Sequence, residues 1–465
     1  MTEPVGQSDI SPPAKAVIEP ASYARAPEAK KLSLRVNFSW TFVGNLLYTA
    51  AQFAMVLILG KFGSPSDLGM FAVGQAVCMP IKWLTSLNLR AAMVTDARNQ
   101  FIYGQYIGLR LLTATALVVV ATGAALLGGY SGRSQVVIVL MALGFAILEV
   151  REILLGVVFK NERMDLSARS QIILSVAAPV VFTATFLQTQ SLILTLIGVM
   201  AVRMCLVLFH DFPAARYVAR SFAHEVPSAS LRPVLHFGAL KGLIWGALPL
   251  GIAMTLSSLN NSIPVYFLEH HHGEDACGFY APLAMAMTFS MTMMNTLGTA
   301  ASPRLANYFV ENRRAFGRLL AKMLGIAVVG ALAAVAAALL LGKPALRILF
   351  TSEYAAYSAE LAWMMTSAGL MFIASFLIYA IVAARAFGYL LAGFALVVLT
   401  CAGVGSLLIG PHAVAGAAWT RVISGAAAVV ALGALLVVKL KRSPLVAAPS
   451  PVESGGTQSE EEDRP

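Results

Sequence analysis

The chain has 465 residues, 58% of them hydrophobic and only 12% charged, with 33 Lys and Arg against 23 Asp and Glu. A mean hydropathy of +0.75 excludes an ordinary water-soluble domain. The net charge of +10 is not gathered into a patch or stripe, which argues against nucleic acid as a partner.

Apolar stretches long enough to cross a bilayer follow one another at 37–60, 68–91, 106–129, 135–158, 168–187, 190–211, 240–266, 277–301, 317–341, 358–383, 389–409 and 413–438. Backbone in hydrocarbon must satisfy its own hydrogen bonds, so these stretches predict an all-α integral membrane protein of twelve transmembrane helices. Basic residues crowd alternate connections, among them Arg90, Arg98, Lys160, Arg163, Arg216, Arg220, Arg304, Arg313, Arg385 and Lys439. The opposite ends hold only Lys61, Arg133, Lys343 and Arg347, which predicts that both termini are cytoplasmic.

Residues 1–34 are polar and rich in Pro and Ala, without the apolar region of a cleavable signal peptide. Residues 441–465 end in Glu460-Glu461-Glu462-Asp463. Both are expected to be disordered cytoplasmic tails. The longest polar interruption, 213–237, carries Arg216, Arg220, His224, Glu225, Arg232 and His236 and is expected to be a cytoplasmic linker. It divides the membrane region into an N-lobe, 35–212, and a C-lobe, 238–440, of six predicted helices each.

An internal echo supports that division. Asp67-Leu-Gly69-Met-Phe71-Ala72 in the first hairpin matches Asp275-Ala-Cys-Gly278-Phe-Tyr280-Ala281 in the first hairpin of the second half. An even number of helices per repeat places both lobes in the same orientation, related by an axis along the membrane normal, an arrangement suited to alternating access.

Polar stripes locate the candidate site. At 100° per residue, Asn37, Thr41, Asn45, Tyr48 and Gln52 share one side of the first segment, and Gln75, Cys78, Lys82, Thr85 and Ser86 one side of the second. Thr288, Thr292, Asn295, Thr299 and Ser302 do the same in the eighth, whereas the ninth is apolar all round. The stripes predict a hydrated cavity between segments 1, 2, 7 and 8. The plainer alternative is hydrogen bonding between helices. Lys82 lies deep in its segment, where an unpartnered cation costs about 2.5–3.5 kcal/mol. Arg421 is its counterpart in the second half. Glu149 and Glu152 in the fourth segment either pair with deep cations such as Arg110 or Arg203, or hold a coupling proton or sodium ion. Pro249, among Gly242, Gly246 and Gly251, is a hinge or a static kink.

The four cysteines lie in separate segments and form no disulfide framework or metal site, and His270-His271-His272 reads as a polar loop. No Walker A, H-E-x-x-H or G-x-S-x-G motif is present. The expectation is a transporter, not an enzyme, without a cofactor and driven at most by a proton or sodium gradient.

The stretch Ser33 to Leu112 resembles the oligosaccharide flippases of the multidrug/oligosaccharidyl-lipid/polysaccharide exporter superfamily. The residues that carry the likeness are Asn37-Phe-Ser-Trp40, Gly44-Asn45, Gly69-Met-Phe71-Ala72, Asn88-Leu-Arg90, Thr95-Asp96 and Gly108-Leu-Arg110, with Glu162-Arg163-Met164-Asp165 as a second patch. The resemblance implies translocation of a polyprenyl-diphosphate-linked oligosaccharide across a bacterial inner membrane during polysaccharide assembly. It also implies membrane lipids, and the pathway's polymerase and chain-length components, as partners. Lys82 and Arg421 would then meet phosphate, and Asn45, Tyr48, Gln52, Gln75, Ser86, Thr292, Asn295 and Thr299 the sugars. An organic-cation antiporter of the same superfamily, or a non-transporting partner or polymerase of the pathway, are the alternatives.

Overall fold

The computed structural model describes residues 34–96, 100–221, 230–384 and 386–442. The expected tails lie outside these residues except for Leu34, Lys441 and Arg442, and so do Arg98, His224, Glu225 and Arg385.

Helices follow one another as α1 (Leu34–Phe62), α2 (Pro65–Ser86), α3 (Leu89–Thr95), α4 (Tyr103–Leu127), α5 (Gly132–Lys160) and α6 (Met164–Thr189). Next, α7 (Leu192–Leu206) runs through a π-helical turn, Val207–Asp211, into α8 (Phe212–Ser221). The second half holds α9 (Phe237–Glu311), α10 (Arg313–Leu349), α11 (Ser358–Ala383) and α12 (Phe387–Arg442). Two of these are double. α9 turns at Gly273, with φ 74°, and α12 at Ala413, with φ 46°, just after Pro411. All twelve predicted segments fall on these helices. Among the described residues, seven helices are long and apolar enough to cross a membrane, or eight if the two pieces of α9 that meet at 47° around residue 250 count as one span.

Local chemistry sets the ends. Ser64 caps α2 through a reciprocal box with Asp67, and Pro65 sits at the first helical position, where no N–H is needed. Ser131, Ser191 and Asn312 cap α5, α7 and α10 through their side-chain oxygens.

Two expectations change. The segment 68–91 is not one helix, because Leu87 and Asn88 adopt left-handed backbone and separate α2 from α3. The expected linker begins as helix: α8 buries Ala215, Val218 and Ala219 and packs on α5. After residues 222–229 the chain returns against α4, where Val234 N–H donates to the Gly104 carbonyl at 2.8 Å.

Packing is divided and then bridged. α1 lies chiefly along α6, while α4, α5 and α7 pack together. α11 sits among α9, α10 and α12. α10, apolar on every side from Met323 to Gly342, buries only 11% of its most apolar stretch, as a lipid-facing helix should. The most extensive packing of all joins α2 to α9, and Phe53 of α1 meets Phe289 of α9 at 5.8 Å.

The echoed glycines make this bridge possible. A Cβ on Gly69 would collide with the Glu274 carbonyl oxygen, and one on Gly278 with the Pro65 carbonyl oxygen. Gly69 lies four residues after Pro65, and Gly278 four after Glu274. The contact is therefore reciprocal, the pattern a local twofold produces. One further link depends on proline. Pro80 has no N–H to give the Ala76 carbonyl, and the Tyr266 hydroxyl of α9 donates to that oxygen at 2.5 Å instead.

Gly69→Ala should lower unfolding stability in detergent by about 1–3 kcal/mol through overpacking against backbone. Gly123→Ala, which meets nothing within 4 Å inside α4, should be neutral or stabilising by about 0.5–1 kcal/mol. Denaturant titration of the two variants checks the contrast.

Candidate functional site

Charged side chains converge where α2, α3, α4 and α5 meet the π-helical turn that follows α7. Glu149 of α5 is buried and accepts a hydrogen bond from Arg110 of α4, itself only 2% exposed, while Lys82 Nζ stands 3.6 Å from its other oxygen. The ammonium of Lys82 also lies 5.3 Å from the Trp83 ring and 5.6 Å from that of Phe145, both favourable for a cation. One turn along α5, Glu152 pairs with Arg90 at 2.5 Å, at the mouth of a small cavity lined by Gly44, Ser167 and Gln171. Arg151 points the other way, donating to Ser170 at 2.8 Å and Gln171 at 2.9 Å, with the fully buried Asp211 at 3.3 Å.

The arrangement is a partly buried ionic network. Lys82, Arg90, Arg110 and Arg151 face Glu149, Glu152 and Asp211, leaving one positive charge in excess. Lys82 is its most accessible deep cation, with 19% of the side chain exposed. Of the two readings open for Glu149 and Glu152, the geometry shows pairing. Glu149 takes Arg110 and Lys82, not Arg203.

A second centre lies within the other half. A cavity of about 340 Å³ opens between both arms of α9, α11 and α12. Arg421 lines it, yet is only 2% exposed, so it does not reach outward toward the helix end. It donates to the Asn260 carbonyl at 2.7 Å and to Asn261 Oδ1 at 2.9 Å. The cause is again a proline: Pro264 cannot hydrogen-bond the Asn260 carbonyl, and Arg421 supplies the missing donor. Asn295 also lines this cavity and accepts from Ser375 at 2.7 Å.

The other expected residues scatter. Tyr48, Gln52 and Gln75 are half-buried, and the side chain of Asn45 lies outside what the structure describes. Ser86 does not serve a cavity: it is buried, donates to the Trp83 carbonyl and accepts from Asn88 N–H, finishing α2. Thr292 and Thr299 turn their hydroxyls onto their own helix, to the carbonyls of Thr288 and Thr296. The stripe of the eighth segment is split: Thr288, whose hydroxyl donates to the Ala284 carbonyl at 2.9 Å, and Asn295 line the cavity, and Thr292 and Thr299 are not among its lining residues. The single cavity expected to hold both Lys82 and Arg421 is replaced by two centres.

Sequence reasoning passed over Asp211, although an acid inside an apolar span is itself a signal. Glu274 lies just beyond the His270-His271-His272 run. It accepts from Ser66 at 3.1 Å, Ser131 at 2.7 Å and Ser134 at 2.5 Å, tying α9 to α2 and α5 at the hairpin end. Among the described residues no group of three His, Cys, Asp or Glu side chains could hold a metal ion.

The fold is that of the alternating-access membrane transporters. An inward-facing multidrug resistance MATE family transporter of the MOP superfamily superposes with a TM-score of 0.68 at 14% identity, covering 85% of this chain and 96% of the other. The lipid II flippase MurJ, in an inward closed conformation, superposes at 0.67 with 13% identity, over 88% and 87%. These neighbours are transporters rather than enzymes. In sequence, the chain is 25% identical over 393 residues to the capsular polysaccharide biosynthesis protein CapF of Staphylococcus aureus, covering 83% of this chain and 95% of CapF. No protein-family model matches the chain.

Arg110→Leu, which leaves Glu149 only its 3.6 Å contact with Lys82, should destabilise the protein by up to about 3–5 kcal/mol. Arg90→Leu, at a pair with about a third of each side chain exposed, should cost about 1 kcal/mol or less. Thermal unfolding of the purified variants separates the two.

Proposed function

We propose that the protein is a flippase that carries a polyprenyl-diphosphate-linked oligosaccharide from the cytoplasmic to the periplasmic leaflet of a bacterial inner membrane, for assembly of a surface polysaccharide. The observation that carries this reading is the ionic network around Lys82, set inside a fold shared with a lipid II flippase and a multidrug transporter. The network has more positive than negative charge and, besides the more exposed Arg90, leaves the deeper Lys82 partly accessible, which suits a diphosphate. A cavity for organic cations would favour the opposite balance. The relative named for capsular polysaccharide biosynthesis supports the same choice.

In this proposal both termini and the Arg- and Lys-rich helix ends face the cytoplasm. Residues 35–212 and 238–440 act as two lobes related by a pseudo-twofold along the membrane normal, and their relative rotation exposes the site to one side and then the other. The reciprocal glycine crossing at Gly69 and Gly278 supports that symmetry. Tyr48, Gln52 and Gln75 supply hydrogen bonds to the sugars, and Glu149 keeps Lys82 and Arg110 in place when no phosphate is bound. Membrane lipids surround the chain, and the polymerase and chain-length proteins of the pathway are its proposed partners. No chemical bond of the substrate is changed, and energy comes from an ion gradient or from consumption of the product.

Lys82→Ala should therefore reduce transport about tenfold or more while leaving insertion and abundance near normal, since it removes one charge-assisted contact. Lys82→Arg should keep partial activity. Proteoliposomes loaded with the lipid-linked oligosaccharide, assayed for leaflet exchange without ATP, provide the measurement. Full activity of a well-expressed Lys82→Ala variant, or strict dependence on ATP, would overturn the proposal.

A further inference from the structure

The cation of Arg421 has no opposite charge beside it. Every acidic residue between 238 and 442 is Glu269, Glu274, Asp275, Glu311, Glu353 or Glu360, and among the described residues none forms an ion pair with Arg421. Its neighbours are a carbonyl, an amide oxygen and the Met287 sulfur. Bracing a proline-broken helix requires only a donor, and a neutral amide would serve. A full charge, buried to 2% exposure in the apolar part of a membrane protein, calls for an anion. The first centre shows the contrast, because each of its cations stands beside a carboxylate.

The walls of the cavity describe the rest of the ligand. At about 340 Å³ it lies at the small end of ligand pockets and is far larger than an inorganic ion needs. Ser257, Asn261, Thr288, Asn295 and Ser375 bring hydroxyls and amides to its surface, and Tyr280 adds an aromatic wall. The side-chain oxygen of Asn260 is buried there without a hydrogen-bond donor, so the occupant needs an O–H or N–H as well as an oxyanion.

We infer that the cavity at Arg421 binds one acidic sugar residue, a monosaccharide unit whose carboxylate or phosphate pairs with the guanidinium while its hydroxyls meet Asn260 and the polar wall. The inference deepens the flippase reading and rests on it for the source of the sugar: the saccharide carried by the lipid would contain an acidic unit. The diphosphate and the acidic sugar then occupy different halves of the protein. Neutral glycans of equal size would lose the second contact and be poorer substrates.

The full-length protein in detergent, in chloride-free buffer, is titrated with glucuronate, glucose 6-phosphate, glucose and inorganic phosphate, with the unfolding temperature as readout. Glucuronate or glucose 6-phosphate should raise it saturably, whereas glucose and inorganic phosphate should not. Arg421→Gln retains a donor for the Asn260 carbonyl and should weaken the response roughly tenfold or more. Thr288→Trp, which fills the cavity without touching the bonds of Arg421, should abolish it. Lys82→Ala should leave it intact, so loss of glycolipid transport with a preserved glucuronate response indicts the flippase reading rather than this site. An equal response to glucose or to inorganic phosphate overturns the inference. So does an unaltered response in folded Arg421→Gln or Thr288→Trp, or no response in the parent protein.

Discussion

A carbonyl released by proline inside a bilayer has no water to turn to, and much of this structure follows from how two such carbonyls are answered. Pro80 frees the oxygen of Ala76, and Tyr266 reaches it from α9. Pro264 frees the oxygen of Asn260, and Arg421 reaches it from α12. Each donor comes from a different helix, so a local break in one helix becomes a specific bond between two. The first bond helps to join the two halves of the chain. The second positions a cation at the wall of a cavity.

The charges obey a related rule with unequal results. In the first half, the cations Lys82, Arg90, Arg110 and Arg151 each have a carboxylate beside them, and Glu149 serves two cations at once. Such a network limits the cost of burial without making it favourable. The second half has one deep cation and carboxylates only near helix ends. Lys82 and Arg421 therefore sit in different chemical settings, the first beside a carboxylate and the second beside a carbonyl and an amide oxygen.

Helix content and the positions of the apolar helices were legible because they depend on runs of apolar residues, a local property. The echo at Gly69 and Gly278 was also legible, though its meaning was not. Only the structure shows each glycine against the backbone of the opposite hairpin. Stripes were a poorer guide. A wheel places Ser86, Thr292 and Thr299 on a polar side, but their hydroxyls satisfy carbonyls of their own helices, a choice made by short-range geometry. Helix ends were misread for a similar reason. No Gly or Pro marks residues 87–88, and Asn88, a residue that tolerates left-handed backbone, is the single trace of the break that ends α2.

The contact that seals the hairpin end has a composition suited to being broken. It consists of two glycine crossings and three serine hydroxyls gathered on Glu274, without an ion pair among the described residues there. When such groups separate, water solvates each of them directly, so opening leaves no stranded charge behind. The bond from Tyr266 to Ala76 imposes a further condition. If α2 and α9 part, the Ala76 carbonyl loses its donor, and Pro80 ensures that the helix cannot replace it. Water must then reach that depth for the opened state to be tolerable. Separation at the hairpin end and wetting of the space beneath it are thus one event. The ionic network on α2, α3, α4, α5 and the π-helical turn lies within the first half of the chain, so it can pass through that event as a rigid unit.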